Sequence, residues 1–325
     1  TSMAARSCRS RALAESEMTK DTAHSVLVTG AGGFLGAWAI KALTAAGRRI
    51  TAFDLGIDRR RIEALIGADA AAAIPWIEGD VRDREALMAA IDHAAADAIL
   101  HLAGLTIPTC RLAPIKGAEV NVIGQIAVFE AALAKGVERL VYTSSAAAHP
   151  RGQWRSPANL YGVFKRAGEE IAKVYALEHG LMSVGVRPQI VYGLGRDDGE
   201  TSAISQAIRA AALGEAYTMP FAGGACLQYA GEIADVLCRC LDARPTEPVV
   251  SDITTQVESM DDLLAEIGRQ VPDSRIAPSP TLRPAPEITL DASPLERLIG
   301  PWPRVSLSEG ISHTIDAYRR NGPGS

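Results

Sequence analysis

The sequence has little cysteine, no surplus of positive charge and no long hydrophobic run, and each shortage argues against a class of protein. Five cysteines in 325 residues are too few and too scattered for a disulfide scaffold, so we expect reduced thiols. A net charge of -5 without a basic stripe argues against nucleic-acid binding. No apolar run reaches the ~18 residues that cross a bilayer, so no membrane span is expected. These absences predict a soluble, cytoplasmic globular protein.

Two further features are expected to lie outside the functional site. Cys238 and Cys240 are two residues apart in an apolar, helix-like stretch, so they point to different faces and make a poor metal pair. No metal site is therefore predicted. Residues 1–22 are expected to form a tail outside the fold, with Met18 as the natural start.

From Ser25 onward, short apolar runs alternate with amphipathic stretches, which is typical of βα units that build a parallel sheet. This pattern predicts an α/β fold, with a Rossmann-type doubly wound sheet over residues 23–192. The alternation then loosens, so residues 193–325 are predicted to form mainly a smaller substrate-binding lobe. Strands are predicted at 25–30, 48–54, 74–80, 97–103, 138–145 and 182–192, and helices at 34–46, 84–93, 113–135, 159–179, 201–213, 230–243 and 259–269.

A glycine motif connects the first predicted strand to the first predicted helix. Gly30, Gly33 and Gly36 have the spacing that permits a tight turn, close approach of a pyrophosphate and packing of the helix on the sheet. Amides at the start of the helix would then meet the phosphate oxygens. The motif predicts a dinucleotide site that includes the neighbouring Phe34 and Leu35.

Asp54 indicates which dinucleotide is bound. It ends the second predicted strand, where a carboxylate can accept both ribose hydroxyls and would repel a 2'-phosphate. NAD is therefore predicted over NADP, although the run Arg59 to Arg61 could turn back toward a phosphate. Otherwise that run is expected to be a solvated loop or a helix start.

Later strand ends supply the remaining predicted cofactor contacts. Asp80 and Val81 close the third strand, where an acid can meet the adenine amino group and an apolar side chain can flank the ring. Ala103 and Gly104 close the fourth strand, where small residues let the cofactor cross the sheet edge.

Tyr161 and Lys165 are four residues apart on a predicted helix and therefore share one face. A lysine ammonium near a phenol stabilises phenolate, so we expect Lys165 to lower the pKa of Tyr161 and make it a usable acid or base. Ser145 ends a strand 16 residues before Tyr161 and could hydrogen-bond the substrate oxygen. The three residues are the predicted catalytic group.

Taken together, these segments resemble the extended short-chain dehydrogenase/reductase family, also called the NAD-dependent epimerase/dehydratase family. The resemblance implies that Tyr161 is the acid/base, that Lys165 activates it and binds the nicotinamide ribose, and that Asn121 holds a helical irregularity and a water. It also implies a homodimer through helices 113–135 and 159–179, and cofactor contacts from Leu102, Thr143, Pro188 and Ile190. The matching segments are TGAGGFLG, Asp54, GDV at 79–81, HLAG at 101–104, NVIG at 121–124, YTSSAA at 142–147, YGVFK at 161–165 and RPQIVYG at 187–193.

Departures from the family pattern narrow the expected activity. Ala146 and Ala147 stand where dehydratases carry an acidic pair, so dehydratase activity is not expected. Ile190 and Ala225 replace an Asn and an Arg that hold nucleotide sugars in the family, so a small substrate is expected instead, unless Arg196 or Arg209 substitutes as a phosphate ligand. His149 replaces a Tyr at the pocket rim and is expected to be a partly exposed loop residue.

Three functions stay open from the sequence. The first is an NAD-dependent dehydrogenase that acts on a secondary alcohol of a small hydroxylated or sugar-derived compound. The second is a nucleotide-sugar epimerase that retains its NAD. The third is a dinucleotide sensor without catalysis, against which Ser145, Tyr161 and Lys165 count.

Overall fold

A seven-stranded, all-parallel sheet forms the centre of the molecule, and helices cover both of its faces. The structure is a computed structural model, and it describes residues 25–199, 201–283 and 289–322. The predicted tail at 1–22 lies outside the described residues. The strands, in sheet order, are Val249–Asp252, Ser183–Arg187, Arg139–Thr143, Ala98–His101, Ser25–Thr29, Arg49–Asp54 and Trp76–Glu78. The predicted α/β fold with a doubly wound parallel sheet is confirmed.

Strand order reverses between Ser25–Thr29 and Ala98–His101, which are neighbours in the sheet although two strands lie between them in the chain. Ligands of such sheets bind in the crevice beyond the carboxyl ends of the strands at this reversal. The fold therefore places the site above Thr29 and His101.

The prediction of one strand over 182–192 is wrong, because the segment forms two strands, Ser183–Arg187 and Ile190–Tyr192. Pro188 separates them, since it has no N–H with which to continue the ladder. Ile190–Tyr192 leaves the central sheet and pairs in parallel with Leu227–Tyr229.

The edge strand Val249–Asp252 was not predicted. It pairs in parallel with Ser183–Arg187, so the second half of the chain adds a strand to the Rossmann sheet. Two other short pairs lie in this half, Gly224–Ala225 with Glu258–Ser259 and Ala216–Thr218 with Arg275–Ala277.

The helices follow the predicted pattern, with short helices added. Good capping explains several ends: Asn159 accepts a hydrogen bond from Gly162 N at 2.9 Å, and Ser306 forms a capping box with Glu309. The α-helices are Phe34–Ala45, Arg60–Ile66, Ala68–Ala72, Arg84–Ala94, Ile107–Leu112, Pro114–Ala118, Gly124–Lys135, Leu160–His179, Ala203–Leu213, Ala230–Asp242, Met260–Gln270, Ser293–Ile299 and Leu307–Asn321, and Ala146–Ala148 is a 3-10 turn.

The helix predicted at 113–135 is composite. A π-helical turn at Glu119–Ile123 joins Pro114–Ala118 to Gly124–Lys135. By length and composition alone, the joined span Pro114–Lys135 is long and apolar enough to cross a membrane. The prediction that no apolar run has this length is wrong. Of its most apolar window 56% is buried inside the protein, as in a core helix.

Buried apolar side chains form one cluster on each side of the sheet and a third in the C-terminal lobe. The first cluster combines both halves of the chain: Trp38 and Ile40 on Phe34–Ala45 share it with Ile233 and Leu237 on Ala230–Asp242. The third surrounds Ile204 and Ile208 of Ala203–Leu213. The site lies between the sheet edge and this lobe.

Candidate active site

The glycine loop forms a close-packed cradle in which no side chain fits at Gly30 or Gly36. Gly30 has φ +71°, and a Cβ there would lie 2.6 Å from the backbone N of Ala103. A Cβ on Gly36 would lie 2.2 Å from the carbonyl oxygen of Gly30. Gly33 precedes the first turn of Phe34–Ala45, so unpaired amides at that helix start face the crevice.

Asp54 lies beside this loop at the end of its strand. Its Oδ2 accepts a hydrogen bond from Gly32 N at 2.9 Å, and its Oδ1 accepts one from Leu55 N at 2.8 Å. The next helix begins at Arg60, so Asp54 is not a helix N-cap. The carboxylate therefore braces the glycine loop directly.

The side chains of Arg59, Arg60 and Arg61 all bind other groups of the protein. Arg59 donates to the carbonyls of Ala71 and Ile74 at 2.7 and 3.0 Å, and Arg60 pairs with Asp58. Arg61 donates to Gly32 O, Gly195 O and Asp197 Oδ1, at 3.2, 3.0 and 2.7 Å. The run starts a helix, and Arg61 ties the glycine loop to the C-terminal half.

Asp80 and Val81, which follow the third strand and were predicted to contact the adenine, have other partners in the structure. The guanidinium of Arg82 pairs with Asp80 at 2.6 Å and holds the pKa of that carboxyl below its usual value. Val81 is buried, and its Cγ2 would lie 2.9 Å from a Cβ on Gly124, so it packs against the start of Gly124–Lys135. Neither side chain lines the cavity described below.

Ser145, Tyr161 and Lys165 meet where two cavities join. Tyr161 and Ser145 line both cavities, and Ser145 lies close enough to the phenol to act on its pKa. The Lys165 Nζ donates to the carbonyl of Thr143 at 2.7 Å and lies 5.8 Å from the centre of the Tyr161 ring. Strand Arg139–Thr143 thus supplies both the end that carries Ser145 and the oxygen that holds the lysine.

Burial controls ionisation at this cluster. It raises the pKa of the Tyr161 phenol, and the hydrogen bond from Ser145 and the positive charge of Arg196 only partly oppose this. It lowers the pKa of Lys165 from 10.5 to about 8. The expectation that Lys165 lowers the phenol pKa is therefore not met, because desolvation of the phenolate outweighs the neighbouring charges.

Asn121 lies in the π-helical turn and closes the back of the site. Its Oδ1 accepts from Leu105 N at 3.0 Å, and its Nδ2 donates to Leu105 O at 3.1 Å and to Cys110 Sγ at 3.2 Å. A Cβ on Gly104 would lie 2.7 Å from Asn121 Oδ1 and 3.5 Å from Lys165 Nζ. The irregular turn thus fixes the loop that follows strand Ala98–His101.

One cavity, of about 350 Å³, extends from the glycine loop to the catalytic cluster. Asp54, Asp80, Val81, Ala103, Asn121 and Ile190 lie outside its lining, and Ile190 lines the adjoining cavity instead. The predicted site residues that line the first cavity are Gly30, Gly33, Phe34, Leu35, Gly36, Leu102, Gly104, Thr143, Ser145, Tyr161, Lys165 and Pro188.

The adjoining cavity, of about 240 Å³, shares Ser145 and Tyr161 with the first. Ile190 and Ala225 line it, as does Arg196, which lines both cavities. Arg151 and Arg283 also line it and were missed from the sequence. The sequence gives little signal for them, because the three arginines lie on loops far apart in the chain.

His149 does not line either cavity. Its Nε2 lies 2.8 Å from Asp252 Oδ1, and both side chains are largely buried. The expected exposed loop residue is instead a bridge between the loop after Ser145 and the edge strand Val249–Asp252. Arg209, considered as a phosphate ligand, pairs with Glu215 at 2.8 Å and also lies outside both cavities.

The fold and the site define a Rossmann-type protein in which a serine, a tyrosine and a lysine meet beside a dinucleotide crevice. Residues 26–248 match the model of the NAD dependent epimerase/dehydratase family. The chain belongs to this family, as its motifs predict.

Two curated relatives are UDP-glucose 4-epimerases. The enzyme from Mycolicibacterium smegmatis is 26% identical over 310 residues, which cover 90% of this chain and 98% of the relative. The enzyme from Azospirillum brasilense is 32% identical over 182 residues, which cover 52% of this chain. That second match spans only 50% of the relative's length.

Solved structures share the fold. The Thermus thermophilus UDP-glucose 4-epimerase in complex with NAD has a TM-score of 0.74 and 24% identity over 90% of this chain and 98% of its own. An L-threonine dehydrogenase from Cupriavidus necator has a TM-score of 0.78 and 22% identity, covering 90% of this chain and 99% of its own. Neighbours with this fold therefore include both epimerases and dehydrogenases.

The cofactor of the family is NAD, and the prediction of NAD is confirmed at that level. The residues present fit it. The glycine cradle, the carboxylate at the second strand end and the cavity that reaches Tyr161 and Lys165 are arranged in the order in which a dinucleotide would need them.

Proposed function

We propose that this protein is an NAD-dependent oxidoreductase that transfers hydride between NAD and a secondary alcohol or ketone of a small hydroxylated or sugar-derived substrate. The observation that carries the proposal is the position of Ser145 and Tyr161 at the junction of the two cavities, with Lys165 in the wall of the first. When bound, NAD supplies the hydride acceptor or donor.

The chain's own residues handle the proton. Because burial raises the pKa of Tyr161, the phenol is protonated at neutral pH and is set to donate to a carbonyl oxygen, with Ser145 as a second donor. In the oxidative direction Tyr161 must first lose its own proton to solvent, and the phenolate then accepts the hydroxyl proton. The positive charge that Lys165 carries below its pKa of about 8 favours the phenolate formed.

Other residues position this group. Thr143 holds the lysine through its carbonyl oxygen, and Asn121 fixes the loop at Gly104 and Leu105 against it. Asp54 contributes at the opposite end of the crevice, where we propose that its carboxylate accepts the ribose hydroxyls of NAD. We propose that Asp80 meets the adenine end of NAD from outside the described cavity, whereas Val81 is buried against Gly124.

A nucleotide-sugar epimerase is the second candidate, because two relatives are UDP-glucose 4-epimerases. Ile190 and Ala225 in the substrate cavity favour the dehydrogenase, since neither side chain can donate to a sugar or a diphosphate. A sensor without catalysis has no use for a buried Ser145–Tyr161 pair.

Product analysis separates these functions. Purified protein is mixed with NAD and with polyols, aldoses and sugar acids, and NADH absorbance is followed, with Tyr161→Phe as the inactive control. Net NADH formation in the wild type supports the dehydrogenase. Conversion of UDP-glucose to UDP-galactose without net NADH supports the epimerase and overturns the proposal, and NAD binding without turnover of any compound supports the sensor.

We also propose a cytoplasmic homodimer that pairs Pro114–Lys135 and Leu160–His179 with a second copy. Large apolar side chains on these helices are exposed, including Ile115 at 79% and Leu177 at 85%. Light scattering during gel filtration tests this: Leu177→Glu should yield monomers, and a wild type that is itself monomeric would refute the dimer.

A further inference from the structure

Three arginines from separate parts of the chain surround the substrate cavity. Arg151 follows the serine loop, Arg196 follows strand Ile190–Tyr192, and Arg283 lies in the C-terminal lobe. None of the described residues that line this cavity is acidic. The cavity that holds the Ser145–Tyr161 pair therefore has strongly positive walls.

Two of these guanidinium groups have unused donors. The Nε of Arg151 and the Nε of Arg196 are buried and have no hydrogen-bond partner among the described residues. Arg151 makes one long bond from Nη2 to Ala146 O at 3.3 Å, and Arg196 makes one from Nη2 to Thr201 Oγ1 at 3.4 Å. Buried charged donors are costly when unpaired, so both groups are poised for a ligand that accepts hydrogen bonds.

Two nearby acids, Asp197 and Asp198, attract Arg196, whereas the charge that acts on Arg151 is that of Arg283. Asp197 pairs with Arg61 at 2.7 Å, and Asp198 accepts from Gly199 N at 2.7 Å. Arg283 stacks 5.3 Å from the centre of the Phe221 ring, and its charge opposes that of Arg151. An anion in the cavity would relieve this repulsion and supply the missing acceptors.

We propose that the substrate carries an anionic group, a carboxylate or a phosphate monoester, which Arg151 and Arg283 bind, with Arg196 between this group and the cofactor cavity. The inference rests on the proposed function, in which the alcohol of the substrate lies at Ser145 and Tyr161. The anionic group is then at the opposite end of the same substrate. In the oxidation the C–H hydride passes to NAD and the O–H proton to Tyr161, and the anionic group takes no part.

The size of the cavity favours a small acid over a nucleotide sugar. Its volume of about 240 Å³ is below the ~300 to 1,000 Å³ usual for ligand clefts. Ile190 and Ala225 are apolar at its wall. The positive charge is therefore concentrated around a space suited to one compact anion.

Binding of inorganic phosphate and of glycolate by the NAD-bound protein tests the anion site directly. Calorimetry on wild type, Arg151→Gln and Arg283→Gln should show affinity for at least one probe, weakened at least ~10-fold in each variant. Arg151→Lys should recover part of the loss. Arg209→Gln, which removes an arginine outside the cavity, should bind like the wild type. Equal binding by all variants would overturn the proposal.

Turnover distinguishes the two sources of the anion and separates this inference from the proposed function. Glucose, glucuronate and glucose 6-phosphate are compared as substrates, and the charged compound that is used should lose at least ~10-fold in kcat/KM in Arg151→Gln. If Arg151→Gln uses the charged compounds as well as the wild type does, the anion site is overturned and the oxidoreductase is kept. Phosphate or glycolate binding without turnover of any compound overturns the oxidoreductase instead, and UDP binding tighter than phosphate through the same arginines overturns the compact substrate.

Discussion

At the scale of single residues, Tyr161 has the most direct test. Tyr161→Phe removes the phenol oxygen, whose pKa Ser145 influences, and leaves the ring in place. We expect turnover to fall by at least ~100-fold while NAD affinity stays nearly unchanged, because the proton donor is lost and little cofactor contact is lost. Tyr217→Phe, in the C-terminal lobe, is the matched control, and near-normal turnover by Tyr161→Phe would remove the tyrosine from the mechanism.

Asp54 combines two roles that different substitutions separate. Asp54→Asn removes the charge and keeps an oxygen that can accept from Gly32 N, whereas Asp54→Ala also removes this brace. Both should weaken NAD far more than NADP, and Asp54→Ala should weaken NAD the more. Titration of each variant with both cofactors measures this, and wild type that binds NADP more tightly than NAD would contradict the assignment.

The grouping of Ser145, Tyr161 and Lys165 could be predicted because it depends on local sequence patterns. Spacing on one helix joins the last two, and a strand end delivers the serine. Their ionisation could not be predicted in the same way, since the burial that raises the pKa of Tyr161 comes from loops distant in sequence. For the same reason Arg151 and Arg283 were missed: only tertiary folding brings them to one cavity.

At the scale of elements, the position of helix Leu160–His179 depends on one glycine. A Cβ on Gly162 would lie 2.2 Å from Ala147 O, so the helix contacts the loop after Ser145 without space between them. Gly162→Ala should push Tyr161 away from Ser145 and lower kcat at least ~10-fold with NAD binding retained. Gly268→Ala, in a helix where a Cβ meets nothing within 4 Å, is the control. Unchanged kcat in Gly162→Ala would show that this contact is not required.

Element boundaries show where the sequence pattern fails. The first five predicted strands are present, because each is a short apolar run between turn residues, and all but the half-exposed Trp76–Glu78 are largely buried. The run at 182–192 was read as continuous, although the missing N–H of Pro188 divides it. The edge strand Val249–Asp252 has only four residues and follows a helix in a region of loose pattern, so its pairing with Ser183–Arg187 depends on tertiary context.

At the scale of the whole molecule, the two halves of the chain are held together by buried contacts. Trp38 Nε1 donates to Leu194 O at 3.1 Å, and Arg48 pairs with Asp242 at 2.7 Å. Arg61 joins the glycine loop to Gly195 and Asp197. Because Arg61 and Asp197 line the first cavity, unfolding of either half should remove the cofactor crevice, and stability becomes a property of the full chain.

That global stability should depend on pH through His101, which is buried at the strand end below the site. The imidazole Nδ1 lies 2.8 Å from Thr29 Oγ1, and burial, with the nearby Lys165 charge, lowers its pKa from 6.5 to about 3. The unfolded chain therefore binds this proton between pH 6.5 and 3, while the folded chain does not. Stability from this group is complete above pH 6.5 and is lost as the pH falls toward 3, by about 2 kcal/mol between pH 7 and 5.

Urea unfolding at pH 7 and pH 5 measures this dependence. His101→Asn keeps an amide that can bond Thr29 but cannot titrate, so its free energy of unfolding should change less between the two pH values than that of the wild type. His93→Asn, on the exposed side of helix Arg84–Ala94, should retain the wild-type dependence. If His101→Asn and the wild type lose equal stability at pH 5, the buried histidine is not the group that couples folding to protons.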